Sequence, residues 1–331
     1  MLKVAIDAGT SVTKIYKIGS GIVLAEPSCV AIHTETQQVK AIGEEAKKLV
    51  GRTSEGTSVI FPVAEGAIVN VKMATVMLDA FLNKIGIRSG RHRVEALFAV
   101  PCGVSEEAKS AIYNVCDELG IAQISFVEAP YLSALGQDLP ISDSNPVFVL
   151  DMGAGTSNIG VISLDGIIAG ISLNLGGNNM DAHIIDHVAA RFGLRIGRIT
   201  GERIKNTIGS LIEGDNQSMV VNGRDIAGGR PRSVAVSSAD VVYPIQIYVD
   251  KLIEYAGMIL RKLPAEVSAG ICKSGVHLSG GVSQIAGMAE YIEERLAMEV
   301  HRSEEPQMAV VLGGGRAIGN PTVLKKIKQT F

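Results

Sequence analysis

The sequence predicts an α/β protein of two related lobes, and three observations carry that prediction. The chain has 331 residues, about two domains at roughly 100–200 residues each. Strand-like and helix-like segments alternate along it, which predicts mixed or parallel sheets with helices on both faces. Finally, one short pattern occurs twice. Leu2-Lys3-Val4-Ala5-Ile6-Asp7-Ala8-Gly9-Thr10-Ser11 is echoed by Val147-Phe148-Val149-Leu150-Asp151-Met152-Gly153-Ala154-Gly155-Thr156-Ser157, 144 residues further on from Asp7 to Asp151. Each copy is an apolar strand ending in an Asp and a small-residue turn, followed by a second β-like run at 15–18 and 159–164.

The elements between the echoes follow in order. Residues 74–85 have helical apolar spacing, and Val94–Val100 has the apolar run of a strand. Ser105, with Glu106 and Glu107 behind it, is a helix N-cap, and Gly120 is the matching C′ residue. A short strand is expected at 124–127, and Pro130 opens a small-residue helix to Gly136. The second half predicts a strand at 167–175, helices near 180–192, 202–211 and 238–263, a strand at 276–278, a helix at 285–296 and a glycine turn at 313–315. Residues 54–58 and 213–217 are polar loops.

Composition narrows the function classes. Apolar residues make up 47% of the chain, enough to build real cores and to exclude disorder. A net charge of −3 gives no general field for nucleic acid. With no Trp, 7 Tyr and 7 Phe, few aromatic platforms could stack single-stranded bases. Cys29, Cys102, Cys116 and Cys272 show no CxxC spacing, so they are expected to be buried small hydrophobes in a reducing compartment rather than zinc ligands or disulfides. No apolar run approaches ~18 residues. A strand starting at Leu2 leaves no room for a signal peptide or an amphipathic anchor, so a cytoplasmic protein is expected.

Chemistry concentrates at the two echoes. Asp7, Gly9, Thr10, Ser11 and Lys14 place a carboxylate, hydroxyls and an ammonium around a glycine turn. Main-chain N–H groups in such a turn bind anions, Lys14 adds a charge for phosphate, and Asp7 suits hydrated Mg²⁺. An ordinary glycine hairpin explains one copy equally well. The second copy, with Asp151, Gly153, Ala154, Gly155, Thr156 and Ser157, makes a clamp of two phosphate-gripping turns. A third piece, Ser279-Gly280-Gly281, follows a strand and precedes a helix, so its glycines allow a base or ribose to lie against backbone.

These three motifs, in this order, resemble the phosphate 1, phosphate 2 and adenosine motifs of the actin-like ATPase superfamily. Within it the chain is similar to the MreB family over nearly its whole length, in stretches such as Gly21-Ile22-Val23-Leu24-Ala25-Glu26-Pro27-Ser28, Ile42-Gly43-Glu44-Glu45-Ala46, Ala99-Val100-Pro101, 177–181 and 202–209. The resemblance implies an actin-like fold, with lobe I spanning 1–144 and completed by 309–331, and lobe II spanning 145–308. Small inserted subdomains are expected near 31–60 and 182–240. It also implies ATP- or GTP-dependent assembly, with Mg²⁺ held by Asp7 and Asp151, into a homopolymer of paired protofilaments at the inner face of the cell membrane, with a membrane-associated partner. By the same resemblance Glu202 and Lys205 reach the ribose and base edge, Gly177 and the residues to Asp181 line the cleft, and 313–315 belong to the second hinge.

The sequence departs from the family pattern in four respects. Where the family carries a water-positioning Glu directly before the hinge proline, this chain has Ala129, with Glu128 one residue earlier. A one-residue shift turns a side chain by about 100° on a helix or to the opposite face of a strand. Asn158 follows the phosphate 2 hydroxyls and can orient water but cannot accept its proton. A missing general base lowers rate by roughly 10²–10⁴-fold, so slow hydrolysis is expected, with Thr156 and Asn158 left to orient water. Lys14 is actin-like, and Asn178 and Thr207 replace acidic residues. The loop 86–93 holds three Arg and one His, which fits an anionic lipid or partner surface and equally a solvated loop. A filament-forming ATPase, a nucleotide-gated scaffold and a small-molecule kinase remain as readings; the last lacks a catalytic Asp facing a sugar pocket. Cell shape, organelle positioning and plasmid segregation all suit the chain.

Overall fold

The computed structural model describes residues 1–53, 55–88 and 91–329. Two five-stranded sheets organise them. The first has the order Gln123–Glu128, Val94–Val100, Leu2–Ala8, Val12–Lys17, Gly21–Pro27. The second has the order Gly166–Leu173, Ser157–Ser163, Val147–Met152, Val276–Ser279, Val300–Arg302. The two echoes therefore form the central strands of separate sheets, each flanked by its own antiparallel hairpin partner and by a parallel strand. Every residue of Val147–Met152 is buried, as expected of a strand covered on both faces.

The hairpins also share a register. Asp7 lies opposite Lys14, and Asp151 lies opposite Asn158, so each Asp meets the residue seven positions later. Lys14 and Asn158 are thus equivalent positions in the two halves.

Local signals account for most helices. Ser105 Oγ accepts from Ala108 N at 3.3 Å and starts Glu106–Glu118. Asn70 Oδ1 accepts from Met73 N at 3.0 Å and starts Val71–Lys84, three residues before the apolar spacing that predicted it. Ala129–Gly136 carries Pro130 in its first turn, where no N–H is needed. The expected helix 238–263 ends at Leu260, and a second helix, Ala265–Ser274, follows Pro264, which disfavours helical backbone before it. The expected helix 285–296 is a 3₁₀ turn, Gly281–Gln284, and a helix Met288–Leu296, separated at Gly287 by a left-handed φ of 75°. Three-stranded sheets add Val30–His33, Val39–Ile42 and Thr57–Ile60 to the first lobe, and Leu194–Arg195, Ser218–Asp225 and Pro231–Ser237 to the second. Of the polar loop 54–58, Ser54 lies outside the described residues, and Thr57 and Ser58 belong to a strand. Ser89 and Gly90 of the basic loop lie outside them as well; Arg88, Arg91, His92 and Arg93 are exposed.

Gly313, Gly314 and Gly315 form no turn. They are buried inside the helix Ala309–Gly319. A Cβ at Gly313 would collide with the Leu132 carbonyl oxygen, one at Gly136 with the Ala309 carbonyl oxygen, and one at Gly315 would sit 2.5 Å from the Tyr16 ring. Glycine weakens a helix by about 1 kcal/mol per residue; here it permits backbone contact between helices 129–136 and 309–319. A core cluster around this crossing takes Ala5 and Leu97 from the first sheet and Val149 and Ile162 from the second, and so joins the lobes beneath the cleft. Among the cysteines, all free, Cys29 and Cys116 are buried, but Cys272 is exposed, against expectation, on the helix Ala265–Ser274.

Candidate nucleotide cleft

A cavity of about 360 Å³ lies between the two hairpins, at the carboxyl ends of the central strands. Its walls bring together Asp7, Gly9, Thr10, Ser11 and Lys14 from one lobe with Asp151, Gly153, Ala154, Gly155, Thr156 and Asn158 from the other. The turns themselves touch: a Cβ at Gly155 would collide with the Thr10 hydroxyl. Main-chain bonds pin the second turn, since Gly153 N donates to Thr156 O at 2.8 Å and Asn178 N to Ala154 O at 2.8 Å. Asn178 sits in the first turn of the helix Gly177–Phe192. Gly177, Glu202, Lys205, Gly280 and Gly281 line the far end of the same cavity.

The two acids differ in environment. Asp7 is half-buried and ion-paired with Lys14 Nζ at 2.8 Å. Asp151 is buried, and its oxygens accept from Ser279 Oγ at 2.9 Å and Asn158 Nδ2 at 3.2 Å. Burial pushes its carboxyl above the usual range and the Asp7 charge adds to this, while the Ser279 and Asn158 bonds and the Lys14 charge oppose it. Asn158 Oδ1 is buried without a hydrogen-bond partner. An orphaned acceptor on a polar cavity wall fits a bound water or ligand hydroxyl. One carboxylate from each turn, with room for phosphate oxygens and waters between, fits Mg²⁺. Among the described residues no three of His, Cys, Asp and Glu gather into an all-protein metal cage.

A raised carboxyl pKa has a stability consequence. Ionised Asp151 disfavours the ligand-free fold, and that penalty grows as pH rises through the ordinary carboxylate value. Asp151→Asn is therefore expected to resist urea better than wild type at pH 7, with the gap closing towards pH 4. Asn158 can accommodate the new amide by turning its free Oδ1 towards it.

Two predicted residues stand behind the wall rather than on it. Ser157 Oγ donates to Leu175 O at 2.7 Å, and Ser279 is fully buried between Asp151 and Ser133. Glu202 and Lys205, on the cavity wall, also carry ion pairs. Lys205 Nζ contacts Asp181 Oδ1 at 2.8 Å and the Gly177 carbonyl at 3.0 Å. Glu202 pairs with Lys47 of the first lobe at 3.2 Å. The Arg198 guanidinium lies over the Phe61 ring at 4.4 Å, and Asn174 Nδ2 donates to Glu65 Oε2 at 2.9 Å. Three contacts thus join the lobes around the cleft. No motif announces Lys47 or Phe61, because their partners lie more than a hundred residues away.

The Glu128 shift acts as its geometry implies. Glu128 Oε1 accepts from Gly103 N at 2.8 Å, with the Cys102 thiol, pushed up to about 12 by burial and by this carboxylate, beside it. Ala129, not Glu128, lines the cavity.

Comparison with known proteins agrees with this arrangement. The profile of the family described as MreB/Mbl protein matches residues 1–326. The cell shape-determining protein MreB of Escherichia coli (strain K12) is 33% identical over 320 residues, covering 95% of this chain and 92% of that protein. MreB 5 of Spiroplasma citri, in a crystal structure bound to AMPPNP, superposes with a TM-score of 0.92 at 26% identity, covering 98% of each chain. A MamK double helical filament shares the fold at a TM-score of 0.82 and 19% identity, covering 96% of this chain and 99% of that one. The fold is actin-like, and the chain belongs to the MreB/Mbl family.

Proposed function

We propose that this protein binds ATP with Mg²⁺ in the cleft, assembles in that state into cytoskeletal filaments of paired protofilaments, and hydrolyses the nucleotide slowly. The observation that carries the reading is the matched register of the two hairpins, which sets Asp7 and Asp151 on opposite sides of one cavity. The AMPPNP complex of the Spiroplasma relative supports a nucleotide there, and the MamK filament supports self-association. Lobe I then comprises 1–144 and 309–331, and lobe II 145–308. The E. coli relative's name supports a role in cell shape.

In this reading the main-chain N–H groups of both turns, with Thr10, Ser11 and Thr156, hold phosphate oxygens. Lys14 turns from Asp7 towards them. Asp7 and Asp151 hold Mg²⁺, which when bound neutralises phosphate charge. Thr156 and Asn158 orient a water on the lobe II side. Gly281 leaves space for the nucleoside, while Gly280 packs against the Met152 main chain. A second reading, a nucleotide-gated scaffold with negligible turnover, is favoured by Ala129 alone.

Light scattering with simultaneous phosphate release, on adding ATP–Mg²⁺ to purified protein, tests both. A rise in scattering with slow release supports the filament-forming ATPase, and assembly without release supports the scaffold. No assembly with ATP or GTP removes the filament from the proposal.

A further inference from the structure

A buried chain of hydrogen bonds crosses from one lobe to the other behind the cleft. Ser279 lies beside Asp151 on the neighbouring parallel strand, and its Oγ donates to Asp151 Oδ1 at 2.9 Å. Ser133 Oγ, on the helix Ala129–Gly136, stands 2.6 Å from Ser279 Oγ. Gln137, which closes that helix, donates from Nε2 to Ser133 Oγ at 3.1 Å. Both serines are fully buried, and Asp151 is buried with them. Ser133 and Gln137 belong to none of the three sequence motifs, and neither lines the cavity.

Counting protons gives the chain one direction. A serine hydroxyl has a single proton to donate. Ser279 spends its proton on Asp151, so Ser133 donates to Ser279 and itself accepts from Gln137. A serine inside a helix commonly returns its proton to the carbonyl four residues back. Ser133 spends it across the lobe boundary instead. Each hydroxyl on the path is then satisfied, as a buried network must be if it is to hold one arrangement. Asn158 Nδ2 holds the other oxygen of Asp151 at 3.2 Å, so the carboxylate is gripped from two sides.

We propose that Ser133 is a positioning residue for Asp151: the helix Ala129–Gly136 orients the carboxylate through Ser279, and so sets how firmly the cleft holds a divalent cation bound with nucleotide. Groups that orient a metal ligand from behind commonly govern roughly 10–100-fold in metal affinity. Ser133 belongs to the helix of the first lobe and Asp151 to a strand of the second. The carboxylate is therefore aligned only when that helix keeps its seat against the second sheet. The proposal rests on the nucleotide–Mg²⁺ reading of the cleft.

Equilibrium titration with a fluorescent ATP analogue, in Mg²⁺ and again in EDTA, tests it on protein too dilute to scatter light. The ratio of the two affinities is the Mg²⁺ increment. Ser133→Ala should lower that increment by roughly tenfold and leave the affinity in EDTA as in wild type. Ser133→Thr, which keeps the hydroxyl, should restore most of it. Gln137→Met removes the first donor at a half-buried position without emptying the core. It should lower the increment in the same direction by less, and it carries the test if Ser133→Ala fails to fold. Affinity lost equally in Mg²⁺ and EDTA, or an intact increment in the folded variants, overturns the proposal and leaves Ser133 a packing residue. Wild-type protein that binds the analogue equally well with and without Mg²⁺ overturns the metal reading of the cleft, and this proposal with it.

Discussion

Gly313→Val is expected to destabilise the protein by about 3 kcal/mol or more, through overpacking that no side chain can relieve. The obstruction at Gly313 is main chain: its Cβ would fall on the Leu132 carbonyl oxygen and within 2.9 Å of Gly136 N. Both atoms belong to the helix Ala129–Gly136, which is itself wedged between the two sheets. Relief requires the helices to separate, which opens a cavity in the cluster that joins the lobes. Thermal unfolding should show a midpoint lower by roughly 5 °C. Gly197→Ala is the control, because nothing lies within 4 Å of a Cβ there. A Gly313→Val protein as stable as that control would mean that the helices do not touch in solution.

Ala129→Glu is expected to raise phosphate release by roughly 10²-fold, the lower end of what a positioned general base contributes. Ala129 lines the cleft and also belongs to the buried cluster that joins the lobes, so thermal melting and nucleotide binding of the variant are measured beside its rate. The native Glu128 cannot substitute, being committed to the Gly103 amide. Single-turnover release measured with saturating ATP–Mg²⁺ isolates the chemical step from nucleotide exchange. An unchanged rate with intact binding would show that water orientation, not its deprotonation, limits turnover, and would shift attention to Asn158. Its free Oδ1 is the only buried side-chain acceptor on the cavity wall left unpartnered among the described residues.

Both predictions concern features that differ in how far the sequence announced them. The hairpins were legible because strand, Asp and glycine turn are local, and because their repetition at Asp7 and Asp151 excluded accident. Ser105 was legible for the same reason: a cap and its helix are neighbours in the chain. The glycines 313–315 were not, because glycine ordinarily signals a turn. What makes them helical is contact with Leu132, Ala5 and Tyr16, between about 180 and 310 residues earlier. The site divides along the same line. The turn residues came together as expected, but a hydroxyl such as Ser157 or Ser279 carries no local mark that tells ligand contact from a buried bond to a neighbour. For Glu202 and Lys205 the resemblance implies a role at the nucleoside, while their partners Lys47 and Asp181 are fixed by tertiary placement.

The lobe-to-lobe contacts around the cleft bear on how a nucleotide enters at all. A half-buried ion pair such as Lys47–Glu202 is worth about 1 kcal/mol, and the Arg198–Phe61 contact about 1 kcal/mol. Together these favour the shut cleft by no more than one to two powers of ten, and salt weakens the ionic part. Contacts this weak would let the cleft open on thermal energy, so entry would need no separate trigger. A nucleotide that touches both turns, as proposed above, would add its own bonds to theirs and turn a weakly shut cleft into a committed one.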